Sequence, residues 1–300
     1  MYKLTKQCDR RVLITGSNSG LGKEAAFRFA AAGADLIMAV RSLAKGEAVK
    51  AEIVAAIPEA QVRVVQLDVS TIAGVRACAT GLLQEDRPID LLINNAGVMA
   101  PPARTVTDEG FELQFATNFL GPFALTNLLL PLLLRGKSPR VVTMTSSAAH
   151  FAAIDWDDLQ SAKRYAPIRA YGQSKLADML LGVELGRLAT RHGWAVTSTL
   201  AHPGNTRTNL QSVGPNLGTD KTHIPLGMRL VPAMTVERGV ESLLLAADDP
   251  DAVQGAYYGP KWFIAGSARR IRLPKTVRDA DLPHMWEVGE SLTGVTTAVG

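Results

Sequence analysis

The strongest constraint on how this chain can fold is an alternation. Short aliphatic and β-branched runs at 11–15 (RVLIT), 35–40 (DLIMAV), 61–67 (QVRVVQL) and 89–93 (IDLLI) are interleaved with other stretches. Those stretches, at 20–32, 43–57 and 72–83, are rich in Ala, Leu, Glu and Lys and have helical periodicity. The beat resumes with strands expected at 140–145, 194–200 and 256–259 and helices at 119–134, 171–191 and 236–247. A strand that is apolar along its whole length must be covered on both faces, as in a parallel sheet. Strand–helix–strand repetition then implies right-handed crossovers. The expected fold is α/β: a single-domain, doubly wound parallel sheet of about seven strands, of Rossmann type, with helices on both faces. No tandem repeat, low-complexity tract or linker divides residues 1–300. Two stretches break the beat, 148–170 and a Pro-, Gly- and Thr-rich segment at 205–235 expected to be a substrate loop. An extension at about 260–300 carries no assignable motif and ends in an expected helix.

With 47% hydrophobic and 20% charged residues, disordered, collagen-like and disulfide-rich classes are excluded. The net charge of +4 is dispersed, with its densest spots at Arg10–Arg11 and 269–272. That reads as solvated surface, so no nucleic-acid partner is expected. Cys8 and Cys78 form no CxxC, and the five histidines show no metal-ligand spacing. No metal is expected, and Cys78 reads as a core residue. The polar N-terminus lacks a signal-peptide core, and the apolar stretch at 128–134 is interrupted by Pro131 and falls short of the ~20 residues that span a bilayer. The expectation is a cytoplasmic protein without a membrane partner.

Immediately after the first strand, TGSNSGLG places Gly16, Gly20 and Gly22 at a strand-to-helix turn. Glycines there let backbone N–H groups approach a pyrophosphate at the positive end of the helix. A nucleotide-triphosphate loop fails on spacing, and Glu24 stands where a magnesium-binding hydroxyl is required. An acid about 20 residues beyond the loop would grip the ribose hydroxyls of NAD. Here the second strand ends Val40-Arg41-Ser42, with Lys45 one turn on, which suits a 2′-phosphate and therefore NADP(H).

Further motifs occur in order: Asp68-Val69, Asn94-Asn95-Ala96-Gly97, Asn118 in NFLG, Ser146-Ser147, Tyr171-Gly-Gln-Ser-Lys175 and Pro203-Gly204. A Tyr-x-x-x-Lys pair alone is weak, since about 0.2 occurrences arise by chance at this composition. The ordered set over roughly 10–260 resembles the short-chain dehydrogenases/reductases. MAVRS at 38–42, AHPG at 201–204 and the long gap from Ser147 to Tyr171 resemble the retinol-dehydrogenase-like and WW-domain-oxidoreductase-like branch. The resemblance implies NADP(H) contacts from Gly16, Ser17, Asn18, Ser19, Gly20, Leu21, Gly22, Arg41, Ser42, Lys45, Asp68, Val69, Asn95, Ala96 and Gly97. It implies the same for Tyr171, Lys175, Pro203, Gly204 and Thr206. It leaves a homodimer or homotetramer open.

A carbonyl that accepts a hydride needs a proton from a group within hydrogen-bond reach. Tyr171 and Lys175, four apart on one helix face, are expected to supply it, the ammonium stabilising the phenolate. Ser147 is expected to orient the substrate oxygen, with Ser146 as its competitor. The resemblance gives Asn118 a water-linked proton relay beneath Lys175, while helix capping is its bland alternative. His202 reads as structural. The expected reaction interconverts an alcohol with a ketone or aldehyde. The apolar content of 205–235 (Leu210, Val213, Leu217, Ile224, Leu226) points to a moderately lipophilic small molecule. A catalytically silent NADP(H) sensor, or a C=C reductase resembling light-dependent protochlorophyllide reductase, are the alternatives.

Overall fold

In the computed structural model, which describes residues 2–207 and 233–297, the apolar runs assemble into one eight-stranded sheet. Strands β1 (Arg11–Thr15), β2 (Asp35–Val40) and β3 (Gln61–Gln66) alternate with helices α1 (Gly20–Ala31), α2 (Leu43–Ala56) and α3 (Ile72–Gln84). The sheet continues through β4 (Leu91–Asn94), β5 (Arg140–Met144), β6 (Thr197–Ala201), β7 (Ala256–Pro260) and β8 (Ala268–Ile271). Its order is β3-β2-β1-β4-β5-β6-β7-β8, parallel until β8, which pairs antiparallel with β7.

β8 is one strand more than the sequence predicts. Its ARRI has both arginines exposed at a sheet edge, so it carries no apolar run to betray it. The central strands β1, β4 and β7 are buried along their whole length, as double coverage requires. Side chains alternate across the sheet: Val12 and Ile14 enter one core with Phe29, Ile53 and Leu244, and Leu13 enters the other with Phe119, Phe123 and Leu180.

The remaining described helices are α4 (Leu113–Phe115), α5 (Gly121–Leu133), α6 (Pro167–His192), α7 (Val236–Gly239), α8 (Glu241–Asp248) and α9 (Asp281–Thr293). A π-helical segment, Ala116–Leu120, joins α4 to α5, so this helical run begins six residues before the sequence predicts. The whole run, Leu113–Leu133, is long and apolar enough to cross a membrane, but its apolar window is 89% buried inside the protein. It is a core helix, and α9 closes over it with Trp286 edge-on to Phe123 at 5.0 Å. The helix expected at 236–247 is interrupted after Gly239, which lies against Thr206 with no room for a Cβ. α6 begins four residues before the expected 171–191, with Pro167 in its first turn, and ends at Gly193 in the left-handed conformation, φ 68°.

Candidate active site

The sheet order reverses between β1 and β4, so the loops leaving their C-terminal ends diverge and open a crevice. Hydrogen bonds lock these two loops together. Thr15 Oγ1 accepts from the N–H groups of Asn95 and Ala96, each at 2.9 Å, and Asn95 Nδ2 donates to the Thr15 carbonyl at 2.8 Å. The glycines make that approach possible. Gly16 has φ 66°, and a Cβ there would lie 2.9 Å from Ala96 Cα. A Cβ at Gly22 would lie 2.5 Å from both Asn95 Nδ2 and the Gly16 carbonyl oxygen.

The positive end of α1 is left uncommitted. Ser19 makes no capping hydrogen bond, and the first turn carries no acidic residue. Ser17 is buried with its hydroxyl unpartnered. An anion between these groups would complete them, so the cradle fits a pyrophosphate. At the end of β2, Arg41 and Lys45 are exposed and form no ion pair among the described residues. Ser42 Oγ accepts from Lys45 N as the cap of α2, which leaves the hydroxyl proton free to donate. Beyond β3, Asp68 holds its own turn by accepting from the Ser70 N–H and hydroxyl, at 3.0 and 2.6 Å. Val69 turns its carbonyl against Gly121.

α6 brings the second half of the site to the same edge. Thr145 Oγ1 donates to the Lys175 carbonyl at 2.7 Å, fixing the helix to the end of β5. Tyr171 packs with Met99, Ala100 and Ala148. Gly97 faces the lysine, because a Cβ there would lie 3.6 Å from Lys175 Nζ. The Lys175 ammonium donates to the Met144 carbonyl at 2.9 Å and to Asp178 Oδ2 at 2.7 Å.

Asn118 sits inside the π-helical segment, a distortion that recurs at functional sites. Its side chain is spent on the scaffold. Oδ1 accepts from Val98 N at 2.8 Å, and Nδ2 donates to the Val98 carbonyl and to Ser174 Oγ. Ser174 in turn donates to the Tyr171 carbonyl at 2.8 Å. Asn118 therefore ties the 95–98 loop to the helix of Tyr171, and it caps no helix.

The serine pair divides its work. Ser146 Oγ accepts from Ala148 N at 3.2 Å and caps the 3-10 turn Ser147–Phe151. Ser147 is half-buried and has no hydrogen-bond partner among the described residues. His202 is fully buried between Tyr257 and Phe263, and its Nδ1 accepts from Gly204 N at 3.3 Å. Burial, aided by His150, pushes its pKa down to about 3, so it is a neutral structural ring. Gly204, φ 65°, lies against the Ile264 carbonyl, and Thr206 Oγ1 donates to the Pro203 carbonyl.

Most of the expected substrate loop, 208–232, including Leu210, Val213, Leu217, Ile224 and Leu226, lies outside the described residues. Its two ends are pinned together, Arg207 N donating to the Met234 carbonyl and Met234 N to that of Asn205. The long 148–170 connection is a brace. Asp155 pairs with Arg169, Trp156 stacks on His284 of α9 at 4.0 Å, and Tyr165 donates to the Pro101 carbonyl.

This arrangement has known counterparts. Residues 10–215 match the family model described as short chain dehydrogenase. The chain belongs to the short-chain dehydrogenase family. It is 35% identical to retinol dehydrogenase 14 of Mus musculus, over 95% of this chain and 86% of that protein. A crystal structure of an uncharacterised protein from Mycobacterium paratuberculosis matches with a TM-score of 0.81 and 35% identity, covering 99% of this chain and 97% of that one. A short-chain dehydrogenase from Sphingobium yanoikuyae, solved in complex with NADPH, matches with a TM-score of 0.63 and 25% identity, covering 82% of this chain and 86% of that one.

Within the short-chain dehydrogenase frame the structure adds three residues to the site predicted from sequence. Thr15 ties the two phosphate-side loops, Ser174 relays Asn118 to the Tyr171 backbone, and Asp178 holds the lysine. Thr15 was legible as the first residue of the glycine turn TGSNSGLG, and Asp178 as the one charge in the apolar stretch LADMLL, three residues beyond Lys175; Ser174 had no such signal.

Proposed function

We propose that this protein is an NADP(H)-dependent oxidoreductase that interconverts an alcohol with a ketone or aldehyde on a moderately lipophilic small molecule. The observation that carries the reading is the convergence at one sheet edge of an uncommitted anion cradle, a free hydroxyl at Ser147 and a tyrosine–lysine helix. The cradle N–H groups of α1 and the Ser17 hydroxyl would hold the pyrophosphate, and Arg41, Ser42 and Lys45 the 2′-phosphate. A nicotinamide held there would supply the hydride chemistry.

Every other part is supplied by the chain. Ser147 donates a hydrogen bond to the substrate oxygen, where negative charge develops. Tyr171 gives its phenolic proton to that oxygen in reduction and takes it back in oxidation. Lys175 favours the phenolate by its charge and offers its remaining N–H to the ribose side of the site. Asn118 keeps the 95–98 loop and α6 in register, so that these groups stay aligned. The mouse relative's name, retinol dehydrogenase 14, supports a lipophilic alcohol.

The test is an NADPH/NADP⁺-coupled screen of alcohols and carbonyls graded by size and polarity, run beside Tyr171→Phe. The variant keeps the ring and loses the proton, so turnover falls at least ~10²-fold while NADPH affinity holds. A Phe variant with near-normal turnover, or turnover of polyanionic substrates only, refutes the assignment. NADPH binding without turnover anywhere in the panel supports the sensor alternative.

A further inference from the structure

We propose that Asp178 is a positioning residue, a buried counter-charge that sets how much of the Lys175 charge reaches Tyr171 and a bound nicotinamide ribose. The proposal rests on the roles given above to Tyr171 and Lys175. Its geometry is unusual for the inside of a protein. The side chains of Lys175 and Asp178 are 6% and 2% exposed, and the ammonium sits 2.7 Å from Oδ2. An ammonium has three N–H donors. The Met144 carbonyl and Asp178 take two of them, so one is left for the reacting side.

The pair is poorly built as a stabilising device. Asp178 Oδ1 has no hydrogen-bond partner among the described residues, and a buried carboxylate with one bare oxygen retains much of its desolvation penalty. Among the described residues, no second charge acts on it from the neighbouring elements. Facing α6 from the sheet are Thr143 and Thr145 of β5 and its continuation, and Asn94 of β4, which is in register with Thr143. All three are neutral. Asn118 of the π-helical segment is neutral as well. His150 and His202 belong to the aromatic cluster around Tyr257, and burial lowers the pKa of both and raises that of Tyr257. On α9, His284 stacks on Trp156 and Asp281 pairs with Arg278. Burial pushes the Asp178 carboxyl above the usual carboxylate range, and Lys175 alone pulls it back.

Where Asp178 is ionised, above its raised pKa of about 7, it offsets the cation at Lys175, and a phenolate at Tyr171 feels only the remainder. Tyr171 and Asp178 are seven residues apart on one helix, about 10 Å at the helical rise. At an effective dielectric of about 20 a unit charge still acts across such a span.

Asp178→Asn, made in the full chain, keeps an acceptor for the ammonium and removes the charge. The expected result is that the acid limb of the pH profile for alcohol oxidation moves to lower pH, because oxidation needs the phenolate and the variant no longer offsets the Lys175 charge. NADPH binding, read by fluorescence titration at fixed pH, tightens severalfold because the Lys175 charge is no longer offset. A limb that stays put, or moves to higher pH, overturns the proposal, as does unchanged or weakened NADPH binding. Asp178→Ser is the second neutral variant, decisive by the same two readouts if the Asn variant does not fold. Should no substrate turn over in any variant, the reading of the reaction fails, and the NADPH titration alone judges Asp178.

Discussion

Replacing Arg41 by alanine tests the cofactor end of the site, because it deletes a charge that touches one dinucleotide and not the other. Val40 stands buried in place of the acid that would bind the ribose hydroxyls of NAD, and Arg41 and Lys45 are exposed without ion-pair partners among the described residues. A free guanidinium at the strand end is available to a 2′-phosphate, and no internal pair must break first. A hydrogen bond to a charged group contributes about 1.5–3 kcal/mol. Arg41 is exposed, and solvent screening holds exposed pairs to the low side of such ranges. The lower bound of about 1.5 kcal/mol is therefore the working figure, which corresponds to about a tenfold rise in the NADPH Kd. Lys45 survives in the variant and limits the loss. NADH has no 2′-phosphate, so its Kd stays where it is. The assay is fluorescence titration of parent and variant with both dinucleotides, repeated at raised salt, where the NADPH difference shrinks. Equal weakening of both cofactors, or a parent that prefers NADH, refutes the reasoning.

Gly22→Ala places a methyl 2.5 Å from Asn95 Nδ2 and from the Gly16 carbonyl oxygen, forcing apart the two loops of the cradle. The expected destabilisation is about 1–3 kcal/mol, seen as a lower Tm together with weaker NADPH binding, and an unchanged Tm and Kd would remove the cradle from the argument. His202 gives the protein a pH dependence. Its folded pKa, about 3, lies below the ordinary 6.5, so above 6.5 both states are neutral there and it adds no slope. Below 6.5 the unfolded chain binds a proton that the fold refuses, and stability falls by about 1.4 kcal/mol per pH unit on the way down to about 3. In His202→Asn, denaturant unfolding as a function of pH should lose that one-proton slope whatever happens to absolute stability, and an unaltered slope assigns the acid sensitivity to other groups.

Several elements were legible because one local signal sufficed. β1 and β2 match the runs at 11–15 and 35–40, since strands buried on both faces are apolar at nearly every inner position. Ser42 and Thr71 cap α2 and α3 with their hydroxyls, a preference written into the residue type. The start of the π-helical run was missed because Ala116–Leu120 has no composition that separates five-residue from four-residue turns. β8 was missed because its neighbour β7 supplies the apolar partner face.

Residue type and spacing by themselves determined the alternation of layers, the glycine turn and the pairing of Tyr171 with Lys175 on one helix face. Each of these follows from contacts within a few residues or from a repeated period. The tertiary structure alone decided what the polar groups do with their remaining bonds. Ser146 caps a turn while Ser147 stays free, Asn118 is consumed by Val98 and Ser174, and Lys175 is shared with Asp178. The Asn118 bonds join segments 20 and 56 residues apart, and Lys175 also reaches Met144 across 31 residues; the Ser146 and Asp178 bonds are local in sequence but take their final form only when those segments pack, because a buried polar atom must take the partner the fold delivers.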